Sequence, residues 1–241
     1  MISRIILIAI VTSLSFLLSP LAFSAYVDLE NDYTETDPGN DISWPTDSEH
    51  ATLTTVVKNY DMYYYKNYTA NYFGDTWHHD FEWKVTSTSG GWTALGGNAV
   101  TNHIDDHHAW LTDDDQAIAF RVFRNATGPQ GYLQLNGCED NVGDTYNPGE
   151  TTGVQYYISM EKTSTTAVEL RIYSDSSRTT LLDTLSLTSL TNRQHQYHVA
   201  TNSINDGNSA RDTTAIIGNF DLDAGGAPPA ASPMQAVKNI F

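Results

Sequence analysis

The sequence predicts an all-β protein, built as a two-sheet antiparallel β-sandwich, and three observations lead to this fold class. Short apolar runs alternate with polar residues at a period of two, as in strands that bury one face. Turn-forming residues separate about a dozen such runs at fairly regular spacing, which favours a sandwich or barrel over alternating βαβ units. Tyrosine, threonine, serine, asparagine, glycine and aspartate are abundant, and no stretch shows convincing helical periodicity.

Residues 1–25 are predicted to be a cleaved signal peptide. Arg4 supplies a positive start, Ile5–Leu18 is an almost unbroken apolar run, and Ala22–Ala25 offers small residues for cleavage. The run is short for a membrane span of about 20 residues, which disfavours a retained anchor. We therefore expect the mature chain to be secreted or held at the cell surface, with no membrane insertion after cleavage.

Four strands are expected in the first half of the mature chain. The most regular is Asp80–Val85, in which apolar side chains alternate with aspartate, glutamate and lysine. Thr52–Val57 alternates weakly, and Met62–Tyr68 is an aromatic strand. Trp92–Val100 is an apolar run that its two adjacent glycines would bend, which suits a central strand.

The second half continues the strand pattern, and its clearest feature is a hairpin. Val168, Leu170 and Ile172 share one face, Ser174–Thr180 is a polar turn, and a second apolar run follows. The alternation that places the leucines of that run on the inward face would also turn Asp183 inward, which predicts a bulge or an edge position. The expected runs are Ile118–Phe123, Tyr132–Cys138, Tyr156–Met160, the hairpin Thr166–Leu187, Tyr197–Val199 and Ile216–Leu222.

Three stretches of the chain carry a family resemblance. YSDSSRTTLLDTLSLT, with the earlier YTETDPGNDISW and the later IIGNFDLD, resembles secreted and phage-borne LamG-like domains of the concanavalin A-like lectin/glucanase superfamily. The resemblance spans Tyr33 to Asp223 and implies a two-sheet antiparallel jelly-roll β-sandwich. The expected layout is a signal peptide at 1–25, the jelly-roll domain at 26–223, and a Gly/Ala/Pro linker with a short tail at 224–241.

The charge and cysteine content exclude several classes of partner. The formal net charge is −17, and about −18 once Arg4 is removed with the signal. Such a chain is repelled by the phosphates of nucleic acids and by anionic lipids. Cys138 is the only cysteine, so the chain has no internal disulfide, and we expect a buried thiol.

Catalytic motifs are sparse, so no catalytic residue is assigned. Glu30–Glu35 matches the E-x-D-x-x-E string of a retaining glucanase branch of the superfamily, but it precedes the first credible strand and is expected to be solvated. Asp80 and Glu82 are the one mid-strand carboxylate pair. The chain lacks a G-x-S-x-G elbow and the R-x-E and Q-I-H strands that related polysaccharide lyases use.

A polar insertion, Thr101–Gln116, is the best candidate for a metal site. Clustered carboxylate oxygens suit calcium, imidazoles suit transition ions, and a solvated acidic loop is the competing interpretation. The resemblance implies a structural Ca²⁺, for which the candidate ligands are Asp105, Asp106, Asp113 and Asp115. Alternatives are a transition ion on His103, His107 or His108, and calcium on Asp37 with Asp221 or Asp223.

Aromatic residues exceed the needs of a core of this size, which is typical of carbohydrate binding, since sugars stack their C–H faces on aromatic rings; ordinary sandwich packing is the alternative. The candidate ligand-binding residues are Tyr63, Tyr65, Trp77, Trp92 and Trp110. With the resemblance, they predict a non-catalytic, lectin-like or surface-adhesion module for an oligo- or polysaccharide. The alternatives are a glycan-cleaving enzyme (glycoside hydrolase or polysaccharide lyase) and a structural extracellular or filament subunit.

Overall fold

The computed structural model describes residues 26–44, 49–54, 62–88, 93–105, 116–124, 130–150, 152–200 and 213–223. In these ranges the chain forms one short helix, α1 (Leu29–Asp32), and fourteen strands. The strands are β1 (Thr34–Thr36), β2 (Ile42–Ser43), β3 (His50–Leu53), β4 (Tyr63–Asn67), β5 (Trp77–Thr88), β6 (Thr93–Thr101), β7 (Ala117–Arg124), β8 (Gln130–Gly137), β9 (Val142–Glu150), β10 (Gln155–Ser164), β11 (Ala167–Tyr173), β12 (Leu181–Leu187), β13 (Tyr197–Ala200) and β14 (Thr213–Asp223).

The strands form two seven-stranded sheets, and every strand pairing within them is antiparallel. Sheet A has the order β1-β4-β13-β6-β7-β8-β9, and sheet B has the order β12-β11-β10-β5-β14-β3-β2. Neighbours in each sheet are often distant in the chain, as in a jelly roll. The predicted two-sheet antiparallel jelly-roll β-sandwich is confirmed.

Two predicted regions, the signal peptide and the C-terminal linker, lie outside the described residues and stay predictions. Across the part of the chain that the structure describes, we find no helix long and apolar enough to cross a membrane.

The core fills the space between the sheets with the inward-facing residues of each strand. In β5 the odd-numbered residues face inward, and Phe81 and Trp83 both lie edge-on to Phe120 of β7, with ring centroids 5.2 and 5.9 Å away. Leu170 and Ile172 of β11 are fully buried on the same side. The alternation seen in the sequence therefore marks which face of each strand is removed from water.

The hairpin is confirmed, with its expected irregularity. β11 and β12 pair antiparallel, the register shifts beside Asp183, and β12 is the edge strand of sheet B. Leu185 and Leu187 are buried, but Leu181, beyond the shift, is half exposed. The shift therefore turns Leu181 outward, while Asp183, opposite the buried Ile172, keeps its inward position at the edge of the sheet, where it is only half-buried.

The strand prediction missed three strands, β1, β2 and β9, so Glu35 lies in the first strand and not before it. β9 was missed because its sequence, VGDTYNPGE, contains proline and two glycines and lacks an apolar face, as an edge strand can. In β14 the buried residues include Ile217 and Phe220. A register shift lies between Gly218 and Asp221, and Asn219 there has φ 53°, so the inward parity changes along this strand.

A chain of buried polar side chains crosses the interior from sheet A to sheet B. The Tyr33 hydroxyl lies 2.7 Å from Nδ1 of His198, and Nε2 of His198 lies 3.1 Å from Nε2 of His79. The side-chain amide nitrogen of Asn98 lies 3.0 Å from the same His79 nitrogen. Tyr33, His198, His79 and Asn98 thus form one continuous series of side-chain contacts between the sheets.

This series of buried polar side chains requires its histidines to be neutral. Burial, and secondarily the charge of Lys66, lowers the pKa of His198 to about 3. Burial and the neighbouring His198 hold the pKa of His79 well below its usual value. His195, on the loop before β13, also has a pKa of about 3, because of burial and the charges of Lys162 and Arg193. Protonating any of the three would place an unpaired cation in the core.

We expect the free energy of unfolding to fall as the pH drops from about 6.5 towards 3. In this range the histidines bind protons in the unfolded chain but stay neutral in the folded one. Near pH 4.5, His195→Gln should lower the number of protons taken up on unfolding by about one. The slope of the unfolding free energy against pH should therefore decrease by about 1.4 kcal/mol per pH unit. Urea unfolding measured at stepped pH gives this slope. His103→Gln, at an exposed histidine, is the control. An unchanged slope in His195→Gln would contradict the prediction.

Candidate functional site

The outer face of sheet A, turned away from sheet B, carries the candidate site. On this face, direct cross-strand partners form a row that runs from β4 through β13, β6 and β7 to β8. The row consists of Tyr65, Val199, Ala99, Ala119 and Asn136. Its three middle members are small and fully buried, whereas large side chains stand at both sides. The three middle side chains are therefore covered, and the side chains of this face that reach solvent are those at its two flanks.

Three tyrosines form one flank, which we name the tyrosine ridge: Tyr63 and Tyr65 of β4, and Tyr197 of β13. The rings of Tyr63 and Tyr65 are 6.2 Å apart, and those of Tyr65 and Tyr197 are 6.5 Å apart and edge-on. All three are half-buried and pack against the small residues of the central row. β4 places Tyr64 in the core, so its two neighbours must point outward.

A polar ladder forms the other flank, across β7, β8 and β9. Arg121 donates from Nε to the side-chain oxygen of Gln134, and the Gln134 amide nitrogen donates to the Thr145 hydroxyl at 3.0 Å. These three are direct strand partners. The ladder fixes the orientation of the guanidinium.

A glycine bulge in β6 lies next to Arg121. Gly96 is the cross-strand partner of Arg121, and the register shifts between Gly96 and Asn98. A side chain on Gly97 would overlap the backbone carbonyl of Phe120, so only glycine allows β6 and β7 to approach this closely. The expectation that two glycines bend a central strand is confirmed.

The two flanks offer different kinds of contact surface. Half-buried tyrosine rings present apolar surface for sugar C–H groups, and their hydroxyls can donate or accept. Burial lowers the pKa of the Arg121 guanidinium, but an arginine side chain remains charged in proteins. A fixed cation beside a ring surface suits a sugar that carries a carboxylate or several hydroxyls.

The predicted ligand residues fall in different places. Tyr63 and Tyr65 are on the ridge, but Trp77 is only 2% exposed, so it cannot stack its ring face on a sugar. Trp92 and Trp110 lie outside the described residues.

Most of the predicted calcium site lies outside the described residues, because Asp106, Asp113 and Asp115 are not among them. Asp105 is described and exposed. In the described ranges no group of three or more His, Cys, Asp or Glu side chains could hold a metal ion. Calcium on Asp37 with Asp221 or Asp223, a pair of carboxylates, stays a prediction. Calcium at Asp105–Asp115 stays a prediction.

The carboxylates considered for catalysis lie elsewhere and are already engaged or exposed. Glu30, Asp32 and Glu35 are solvent-exposed, as expected of a solvated segment. Asp80 and Glu82 share the outer face of sheet B, each about 20% exposed. Burial alone would raise the pKa of Asp80. The hydrogen bond from His78 and the charges of His78 and Arg178 outweigh burial, so the net pKa is lowered. This carboxylate therefore stays ionised and cannot act as a general acid.

The fold defines the class of protein: a two-sheet antiparallel jelly-roll β-sandwich. Among solved structures, the chain is similar to the family 7 alginate lyase A1-II' in complex with substrate, at 12% identity and a TM-score of 0.50, covering 78% of this chain and 82% of that one. It is also similar to the family 7 alginate lyase AlgAT5 (11%, TM-score 0.51, 79% and 93% covered) and to the alginate lyase of Alteromonas sp. 272 (10%, 0.50, 80% and 94%). At these identities the likeness shows the fold. No family model and no curated protein sequence gives a significant match.

Sequence reasoning missed Tyr197, Arg121 and Gln134 as members of the site. The alternation in β7 and β13 already turned Arg121 and Tyr197 outward. What the sequence lacked was the strand order, which brings β13 beside β4 and β8 beside β7.

Gly97→Ala should destabilise the protein by about 1–3 kcal/mol, because the added methyl overlaps the Phe120 carbonyl and forces β6 away from β7. Thermal or urea unfolding measures the loss. Gly74→Ala is the matched control, since a side chain there meets nothing within 4 Å. Equal stability of the two variants would show that the close strand approach is not required.

Proposed function

We propose that this protein is an exported, non-catalytic glycan-binding module that holds an oligo- or polysaccharide on the outer face of sheet A. The observation that carries the proposal is the tyrosine ridge together with the Arg121 ladder on the same outer face of sheet A. The N-terminal apolar segment of 1–25 supports export. The alginate lyases to which the chain is similar act on a polysaccharide, which is consistent with this use of the fold.

The charges on the face favour one class of glycan. The chain as a whole is acidic, so anionic polymers are repelled at long range, whereas the cation of Arg121 attracts a carboxylate at short range. We therefore expect uronate-containing chains to bind more tightly than neutral ones at moderate salt, where the long-range repulsion is screened.

A polysaccharide pull-down and a glycan array of the mature chain test the proposal, each run with calcium and with a chelator. Retention of a glycan supports it, and loss of binding on chelation would place a metal near the ligand, as predicted for Asp105–Asp115. Failure to bind any glycan with the fold intact overturns the proposal and favours the structural subunit.

Tyr65→Ala and Arg121→Gln should each weaken binding of the retained glycan by about tenfold or more, because buried aromatic and arginine contacts dominate recognition. Titration calorimetry measures the loss. Tyr173→Ala removes a half-buried tyrosine from the outer face of sheet B and is the matched control. If it weakens binding as much as Tyr65→Ala does, the glycan does not lie on sheet A.

A second candidate function is cleavage of the bound chain by β-elimination, and Arg121 is the observation that favours it. A guanidinium that neutralises a uronate carboxylate makes the proton on the carbon next to that carboxylate easier to remove. Incubation with alginate, followed for the absorbance of unsaturated uronate ends, tests it. Product that appears in the wild type and disappears in Arg121→Gln supports a lyase, and no product supports binding alone.

A further inference from the structure

The segment between β12 and β13, residues 188–194, crosses from sheet B to sheet A, and we name it the strap. Six of its seven residues are solvent-exposed, and Leu190 is the buried one. A segment that buries one apolar side chain gains little from the hydrophobic effect. Polar contacts must therefore hold the strap against the sandwich.

Two carboxylates in the turn after β8 bind the strap from outside. Asp140 accepts the backbone N–H of Thr191 at 2.8 Å and the Thr191 hydroxyl at 2.7 Å. Glu139 binds Arg193 with both oxygens, because Nη2 lies 2.6 Å from Oε1 and Nε lies 2.9 Å from Oε2. Charge-assisted, two-pronged contacts of this kind are the strongest hydrogen bonds at a protein surface. The strap is thus attached to sheet A mainly by charge.

Lys162 of β10 holds the strap from beneath. Its side chain is buried, and Nζ donates to the carbonyls of Arg193 at 2.7 Å and Gly74 at 3.1 Å. A buried ammonium is stable only while its N–H groups have acceptors. The Arg193 residue is therefore held at two points, its guanidinium by Glu139 and its carbonyl by Lys162.

The strap covers the imidazole of His195. This residue is 2% exposed, and with Leu190, Thr191 and Arg193 it lines a cavity of about 10 Å³, which has room for no more than one water molecule. Burial, and then the charges of Lys162 and Arg193, lowers the pKa of His195 to about 3. A ring released from this cover would take up a proton near pH 6.5.

Glu139 and Asp140 also face His195, because they line the same cavity. Their negative charges would favour a proton on the ring, but Arg193 and the donors of Thr191 already engage them. The two carboxylates therefore do not offset burial, and the closed strap keeps His195 neutral.

We propose that the strap is a proton-sensitive latch, which opens while the two sheets stay paired and opens more often as the pH falls. Opening separates Arg193 from Glu139 and Thr191 from Asp140, and it exposes His195 to solvent. The exposed imidazole then takes one proton from water and must lose it before the strap can close. The latch does not depend on the proposed function, because it involves no residue of the tyrosine ridge or of the Arg121 ladder.

Amide hydrogen exchange of the mature chain, followed by nuclear magnetic resonance and corrected for the intrinsic rate at each pH, tests the latch. The N–H of Leu190, which donates to the Thr166 carbonyl at 3.0 Å, and the N–H of Thr191 report the strap. Leu170, fully buried in β11, reports the sheets. The strap amides should be protected about a hundredfold less than Leu170, because local opening requires less free energy than global unfolding.

The pH dependence identifies the proton. Between pH 7 and 5.5 the protection of the strap amides should fall about eightfold, as expected when the open state alone binds one proton near pH 6.5. His195→Gln should abolish this fall. His103→Gln, at an exposed histidine, is the control and should keep it.

Trypsin at pH 7.5 tests the carboxylate contacts, since the strap contains the cleavable bond after Arg193. Glu139→Gln keeps the shape of the side chain but removes its charge, so it should speed this cut about tenfold or more. Mass spectrometry separates the cut from those at other sites. Glu169→Gln is the matched control, because Glu169 binds Arg171 at 2.6 Å on sheet B and its loss should leave the strap closed.

Three outcomes would overturn the latch. The first is equal protection of the strap amides and Leu170, which means that strap and sheets open together. The second is the same fall of protection with pH in His195→Gln as in the wild type. The third is a Glu139→Gln chain that trypsin cuts after Arg193 no faster than the wild type. Each readout decides alone, so the test survives if His195→Gln does not fold.

Discussion

The sandwich depends on the polar chain that joins its two sheets at their centre. Tyr33, His198 and Asn98 belong to the sheet A side, and His79 belongs to β5 of sheet B. Apolar contacts are non-directional, so they alone would let one sheet slide over the other. The directional contacts of this polar chain favour one alignment, because they join β5 of sheet B to β6 and β13 of sheet A.

That alignment controls what each outer face presents. In β13, His198 points inward because it completes the chain, so Tyr197 and Val199 must point outward, next to Tyr65. In β5, inward His79 forces His78 and Asp80 onto the outer face of sheet B. The ridge and the His78–Asp80 pair are therefore two consequences of the same buried contacts.

The sequence was sufficient for the fold class, because alternation at period two reports directly which side chains leave water. The hairpin, its bulge near Asp183 and the bend in β6 were predictable for the same reason. β9 was not, since an edge strand with one exposed face leaves little apolar pattern. The site was only half predictable. Tyr63 and Tyr65 are close in sequence, whereas Arg121 and Tyr197 meet them through strand order, which depends on contacts between distant parts of the chain.

The single cysteine lies in the turn after β8, among the small residues beneath the ridge, and is almost completely buried. A thiol reagent can reach it only when this part of the molecule opens, so its rate of modification measures a local opening free energy. With one sulfhydryl in the chain, no second reaction obscures the signal. The modification rate of Cys138 therefore reports the local opening of sheet A without an engineered label.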